Sequence, residues 1–456
     1  MADLLLMPRL LGLRASLARH DRWSRERIVA HQHEALRRLR EHVYARSPFY
    51  REFHRGLTDR PLEELPVLTK DLAMERFDDL VTDPAVRRAA VEAHGAGPRA
   101  GGLLAGRTHV MTSSGSSGRR GLFVYDRAEW RTVLGGFLMR SSAWAGLVPS
   151  PLRRVRLAIV ASRSPLHMTA RAGASVRGPW VSTLLLGADE PIDTIVGRLN
   201  DEPPEMLAGY PSVLGLLADE QRSGRLRIRP RIVTTSGEVL GAEARDRIER
   251  AWGCRAFDLY GATECGVIAA ECERHERRHV YEDLLIVEVV DADNRPVPPG
   301  AYGEKVLVTV LFRRLQPLIR YELHDSVRLA TALCPCGRAF AGIDSIGGRA
   351  EEEIRLPSAS GRGEVRLPWV FFLRVFAALP VAEWQVALDG ANLVVSLGGS
   401  PDPAVERGAR EALRRGLEEI GAAASPICVA WLPALPRGPG GKLPLVRPTP
   451  AAGASR

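Results

Sequence analysis

The 456-residue sequence contains no run of about 20 uninterrupted apolar residues, so no membrane-spanning helix is expected and no membrane partner follows from it. Its start, MADLLLMPRLLGLRASLARH, lacks a basic segment ahead of the leucines and lacks a small-residue cleavage site. A secretory leader is therefore not expected; the reading is an N-terminal amphipathic helix and a cytoplasmic protein. Aromatics are scarce at 6%, and no compact basic block is interleaved with them, so a nucleic-acid partner is not expected. Six cysteines are too few for a disulfide scaffold in a chain of this length. No internal repeat is present. With 45% apolar and 26% charged residues the chain is not a disordered one. The formal charge of +9 is carried almost entirely by arginine and suits an anionic ligand, though arginine preference alone decides nothing.

What is present has the layout of two domains, since one hydrophobic core rarely grows to this size. Residues 24–45 carry apolar positions at helical spacing. SPFYREF reads as a break, LPVLTKDLAMERF as an N-capped helix, and residues 95–107 as a flexible approach to a serine–glycine loop. From THVM onward, short strands alternate with helices through RLAIVAS, WVSTLLL, MLAGYPSVLGLLADEQ and RIVTTSGEVL, an α/β pattern. A β-rich part begins near Tyr281, and a second break is read at GIDSIGGRAEEEI. The expected architecture is a large N-terminal domain of α/β subdomains plus a β-rich subdomain (1–346). A small, mobile α+β domain follows (347–446), then a disordered tail (447–456).

The segment TSSGSSGRRG, Thr112–Gly121, poses the functional question. Standing alone, a serine–glycine run is more often a linker than a site. Here THVM and LFVYD flank it as strands, so it reads as the loop of a hairpin. A nucleotide-hydrolase loop would lead into a helix and end Gly-Lys-Ser/Thr, which is absent. Three further stretches are weak singly: DLYGATECG (Asp258–Gly266), LIRYELHDSV with Arg320 and Asp325, and PRGPGGKLPL with Lys442. Taken singly, Glu264 could be a surface carboxylate, Asp325 a strand-end cap and Lys442 a solvated hairpin tip.

Their order and separation resemble the adenylate-forming acyl-CoA synthetase superfamily, in its phenylacetate–CoA ligase-like branch. SPFYR, SGEVL, HVYEDLLIVEVVD, CPCGR, GGR and the terminal GGK extend the resemblance over most of the chain. It implies that Thr112, Ser113, Ser114, Gly115, Ser116, Ser117 and Gly118 cradle the ATP phosphates. Ser236, Gly237 and Glu238 would lie near the adenine, with Tyr260 of the Tyr260–Gly261 pair stacked on its ring. Thr263 would meet the α-phosphate and Glu264 would hold Mg²⁺. Asp325 would accept from the ribose hydroxyls, and Arg349 would touch ribose or phosphate near the hinge. Lys442 would swing in with the small domain to reach carboxylate and α-phosphate. The acid-binding walls are placed at Trp144, Tyr210 and around Gly261.

The implied activity is ATP-dependent conversion of a small carboxylic acid, of aryl or arylacetic type, to an acyl-adenylate with release of pyrophosphate. Transfer to coenzyme A would follow, and a homodimer is carried as an expectation. Two other readings stay open: transfer to an amine or a carrier-protein thiol, and a non-catalytic zinc-containing scaffold. The branch also implies a structural Zn²⁺ on Cys272, His279, Cys334 and Cys336, with His275 as a competing fourth ligand, against plain reduced thiols. Cys254 and Cys265 read as buried small residues. The sequence departs from the family at GRRG, where Arg119 or Arg120 would serve the γ-phosphate. It departs again at YELHDS and at PSASGRGEVRLP, which replaces the loop that helps form the coenzyme A tunnel. Adenylation is thus better supported by the motifs than thioester formation.

Overall fold

The structure is a computed structural model; it describes residues 6–98, 100–113, 121–147, 154–349, 353–361, 363–376, 379, 381, 383–437 and 443–447. Helices open the chain. Leu6–His20 is the expected N-terminal helix, and Arg25–Arg46 is capped by the Ser24 side chain. SPFYREF is not a break: Ser47 caps a short helix, Pro48–Phe53, whose proline sits in the first turn where no N–H is needed. Thr69 caps the next helix, Lys70–Glu75. Among the described residues no helix is long and apolar enough to cross a membrane.

The hairpin follows. Strands β1 (His109–Ser113) and β2 (Gly121–Tyr125) pair antiparallel from His109↔Tyr125 to Ser113↔Gly121. Parallel strands come next: β3 (Val155–Ala161), β4 (Val181–Gly187), β5 (Met206–Gly209), β6 (Ile232–Ser236) and β7 (Ala256–Ala262). Their apolar runs suit strands covered on both faces by helices. At β8 (Gly266–Glu271) the direction reverses, and β9 (Arg278–Val280) continues antiparallel. Strands β10 (Leu285–Val290), β11 (Lys305–Val310) and β12 (Tyr321–Leu323) form a separate three-stranded sheet. The chain then returns as β13 (Asp325–Leu329) and β14 (Gly342–Arg349), completing a nine-stranded sheet ordered β13-β14-β9-β8-β7-β6-β5-β3-β4.

The break expected at GIDSIGGRAEEEI, and the boundary at 346/347, fall inside β14, which is paired with β9 at its start and with β13 to Arg349. Glycine suits the place: a Cβ on Gly347 would meet Ser326 Oγ at 3.0 Å and its carbonyl oxygen at 3.2 Å. Beyond it a second apolar core runs from Ile354 to Val446, distinct from that of the large unit. It is built on a ribbon, β15 (Glu353–Pro357) with β16 (Glu364–Pro368), and a four-stranded sheet. In that sheet β17 (Trp384–Asp389) and β18 (Asn392–Gly398) form a hairpin. The helix Pro403–Glu419 crosses to β19 (Ile427–Leu432), and β20 (Val446–Arg447) lies parallel to β17. The pairing thus includes Arg447, where the tail was expected to begin; residues 448–456 lie outside the described residues.

Candidate adenylating site

In a doubly wound sheet, ligands sit beyond the carboxyl ends of the parallel strands, where the strand order changes. Here β6 ends at Ser236 and β7 at Ala262, beside the parallel-to-antiparallel switch. A cavity of about 70 Å³ lies at this place. Ser113, Ser236, Gly237, Gly261, Thr263 and Glu264 line it, from separate segments of the sequence motifs. Phe137, His167, Met168, Thr169 and Ala262 close it.

Local backbone explains several of these identities. Gly237 has φ +81°, a left-handed value that glycine adopts without strain. A Cβ on Gly261 would stand 2.7 Å from the carbonyl oxygen of Gly266, where the β7–β8 register shifts. Thr112 is tied by its N–H to the carbonyl of Leu166 at 3.0 Å. Ser113 Oγ is buried and has no hydrogen-bond partner among the described residues, an orphan hydroxyl at the cavity wall. Ser114–Gly118 and Arg119–Arg120 lie outside the described residues.

Tyr260 and Asp325 are brought together: the phenol donates to Asp325 Oδ2 at 2.8 Å. Across the β13–β14 pair, Asp325 stands opposite Arg349 in backbone register. The Glu264 carboxylate is buried at 8% exposure, and its turn is held from outside. Tyr125 donates to the carbonyl of Thr263 at 2.6 Å, and Arg313 donates to that of Glu264. Arg313 is fully buried, stacks on Tyr125 at 4.0 Å, and donates to Val124 O and Gln316 Oε1. These three residues, Tyr125, Arg313 and Gln316, lock the β1–β2 hairpin to the Thr263–Glu264 turn. None was expected from sequence, and in LFRRLQP nothing separates the buried Arg313 from its neighbour. Lys70 was also missed. Its Cε would lie 3.1 Å from a Cβ on Gly121, so its stem reaches the start of β2.

Other expected residues are placed differently. Glu238 does not line the cavity: its Oε2 accepts from Ser212 N at 3.1 Å and its Oε1 from Leu443 N at 2.8 Å. Lys442 lies outside the described residues, but this bond sets its neighbour Leu443 against the Ser236–Glu238 turn. Arg437 adds a second tie, donating to Ser212 Oγ at 2.8 Å and Glu383 Oε1 at 2.6 Å. Tyr210 stands behind the cavity, its hydroxyl accepting from Ser162 N and lying 3.5 Å from His167 Nε2. Burial pushes its pKa up to about 12, so it stays neutral.

Trp144 is not a wall of this cavity. It packs edge-on to His279 at 5.7 Å and to Tyr281 at 5.4 Å, and its indole N–H donates to Asp21 Oδ2. The residue of that helical region at the cavity is Phe137, carried on a π-helical segment, Gly135–Arg140. Such insertions recur at functional sites.

Trp144 instead marks a second cluster. Cys272, His279, Cys334 and Cys336 present four donor atoms within 4.8 Å of one another. Cys272 Sγ lies 3.8 Å from Cys334 Sγ, and Cys336 Sγ lies 3.3 Å from His279 Nε2. His275 is not among them; its Nδ1 faces Glu271 Oε2 at 3.3 Å and its ring packs on Phe257.

Residues 180–309 match the family model described as AMP-binding enzyme. Together with the sheet and its cavity, this defines an adenylate-forming enzyme. The phenylacetate-coenzyme A ligase of Thermus thermophilus is 29% identical over 347 residues, 72% of each chain. That of Aromatoleum evansii is 27% identical over 352 residues, 73% of each. In sequence the chain is thus similar to the adenylate-forming superfamily, and within it to the phenylacetate–CoA ligases. Among solved structures, a 2-hydroxyisobutyryl-CoA ligase in the postadenylation state aligns with TM-score 0.74 at 22% identity, covering 95% of this chain and 92% of that one. The same ligase in the thioesterification state aligns at 0.57.

Proposed function

We propose that this protein activates a small carboxylic acid with ATP, releasing pyrophosphate, and then transfers the acyl group to coenzyme A. The observation that carries the reading is the convergence of Ser113, Ser236–Gly237 and Gly261–Glu264 on one cavity, with the Tyr260–Asp325 pair beside it. Attack of a carboxylate on the α-phosphorus brings two anions together, so fixed donors must offset charge at the transition state. Ser113 and the hairpin loop would hold the phosphates, and Thr263 the α-phosphate. Asp325 would accept from the ribose while Tyr260 would cover the adenine, and Arg349, paired with Asp325 in backbone register, would touch ribose or phosphate. Glu264 would hold Mg²⁺, which supplies positive charge against the phosphate oxygens when bound. Phe137 and Met168 are the apolar walls against which an aryl or arylacetic acid would lie.

Lys442 would reach both the carboxylate and the α-phosphate. The docking of Leu443 on Glu238 supports that role, as does the better alignment with the postadenylation state. We assign a structural Zn²⁺ to the second cluster. A tetrahedral ion with Zn–S of about 2.3 Å and Zn–N of about 2.0 Å sets S···S near 3.8 Å and S···N near 3.5 Å. Cys272–Cys334 at 3.8 Å and Cys336–His279 at 3.3 Å fit those spans.

Pyrophosphate–ATP exchange across a panel of aryl and arylacetic acids tests the first half-reaction, and Lys442→Ala should abolish it while the chain stays folded. Exchange with no acid would refute an active adenylating enzyme. AMP release indifferent to coenzyme A but raised by an amine or a carrier protein would replace the acceptor.

A further inference from the structure

The β1–β2 hairpin has the phosphate loop at its closed end. Four residue steps away, about 14 Å along the strands, His109 pairs with Tyr125 at the open end. Past that end lies a second, larger cavity of about 650 Å³, a size that holds a small-molecule ligand. Its walls carry five arginines: Arg46, Arg107, Arg127, Arg131 and Arg314. The carboxylates there are Asp83 and Asp126, and burial holds His42 below its ordinary pKa and so neutral. The lining thus has a formal excess of three positive charges.

The two carboxylates are engaged. Asp83 pairs with Arg107 at 3.0 Å, while Asp126 caps the helix Arg127–Leu134 by accepting from the N–H groups of Ala128 and Glu129. Among the described residues, Arg46, Arg127 and Arg131 form no ion pair with a carboxylate. Arg314 donates to the carbonyl of Arg38 at 2.8 Å. Gathering like charges around one concavity costs free energy unless an anion offsets it. The walls are also fixed in place. Glu129 Oε1 accepts from the N–H groups of Arg314 and Leu315, and the Arg314 carbonyl accepts from Thr82 Oγ1 at 2.7 Å, with His42 Nε2 at 3.2 Å from it. Guanidinium forks on a rigid frame match phosphate oxygens bidentately.

We propose that this cavity is a second anion site, taking a small multiply phosphorylated ligand: a bare polyphosphate chain or the phosphorylated end of a nucleotide. It is separate from the adenylating cavity, yet Arg314 on its wall adjoins Arg313, which holds the Glu264 turn.

The test is calorimetric titration of the full chain with two probes, inorganic tripolyphosphate and 3′-phosphoadenosine 5′-diphosphate. An Arg46→Gln/Arg131→Gln double variant and an Asp325→Ala variant are titrated alongside. A saturable site is expected, beyond any binding at the adenylating cavity, whose affinity falls at least about tenfold in the double variant and weakens with added salt. It should persist in Asp325→Ala, and the double variant should keep its melting temperature. Equal affinity for both probes would identify the bare chain as sufficient, and tighter binding of the nucleotide would identify the nucleotide end. Absence of saturable binding at low salt, or binding untouched by the double variant, overturns the proposal. Binding lost only in Asp325→Ala does so too, by assigning the anion to the adenylating cavity.

Discussion

Asp325→Ala isolates the ribose contact from every later step of the reaction. The Asp325 carboxylate accepts from the Tyr260 phenol at 2.8 Å, and in the proposed role it accepts from two ribose hydroxyls as well. A hydrogen bond to an ionised acceptor contributes about 1.5–3 kcal/mol net, and half-exposed Asp325 belongs at the lower figure. Two such bonds come to about 3 kcal/mol, or about a hundredfold in the Kd of ATP. Asn retains one carbonyl acceptor and should lose about tenfold. Tyr260→Phe keeps both ribose acceptors and the ring face. It should cost about 1 kcal/mol of stability and change the Kd less than about threefold. Equilibrium titration with ATP measures all three without knowing the acid. A Kd for Asp325→Ala within twofold of the parent would refute the ribose role. A larger loss for Tyr260→Phe than for Asp325→Ala would show that the carboxylate serves mainly to hold the tyrosine.

Gly261→Ala sets a Cβ 2.7 Å from a backbone oxygen that cannot step aside, so about 1–3 kcal/mol of stability and much of the ATP affinity should go; an unchanged melting curve would contradict the packing. Cys272→Ser should abolish a stoichiometric zinc content read by elemental mass spectrometry and lower the melting temperature by several degrees. Zinc retained in the variant would remove Cys272 from the ligand set. His109 has its pKa lowered to about 3, by burial first and then by Arg171 and Arg127; Arg171 donates to its Nδ1 at 3.1 Å. The folded state therefore binds fewer protons than the unfolded one between about pH 6.5 and pH 3. Stability should fall by about 1.4 kcal/mol per pH unit as pH drops through that window. His109→Asn, which keeps an acceptor, should flatten the slope in chemical denaturation; an unaltered slope would place the titration elsewhere.

The parts of the site legible in the sequence are those where backbone geometry restricts the residue type. TSSGSSGRRG could be read as a hairpin loop because its flanks are β-rich, and those flanks pair residue for residue as β1 and β2. Gly237 and Gly261 sit where a side chain would be strained or blocked. What stayed hidden depends on tertiary contact. Arg313 and Arg314 are adjacent and identical in type, yet one is sealed under Tyr125 and the other edges a cavity. Phe137 reaches the site from a π-helical segment, Gly135–Arg140, which the apolar spacing of the sequence does not mark. GIDSIGGR reads as a linker by composition, but neighbours on both sides force it into a strand. The second cluster was visible as cysteine and histidine spacing; only the fold could choose His279 over His275.

The Tyr260–Asp325 contact also fixes the shape of the sheet. β7 and β13 are separated by β8, β9 and β14, so a flat sheet would hold them about 19 Å apart. A phenol and a carboxylate cannot bridge that span, yet their oxygens are 2.8 Å apart. The antiparallel half must therefore curl until its far edge returns to the switch point. Register shifts at Tyr260/Gly261, Ser326/Val327 and Arg328/Leu329 supply the added twist. At the opposite end of the same strands, Cys272 follows β8, His279 lies in β9, and Cys334 and Cys336 lie between β13 and β14. A metal there would tie together the four strands that carry the curl, about 20 Å from the nucleotide cavity. On this geometry a metal there would contribute to catalysis only indirectly: it would hold the register that lets Asp325 meet Tyr260, and no chemistry would need to pass through it.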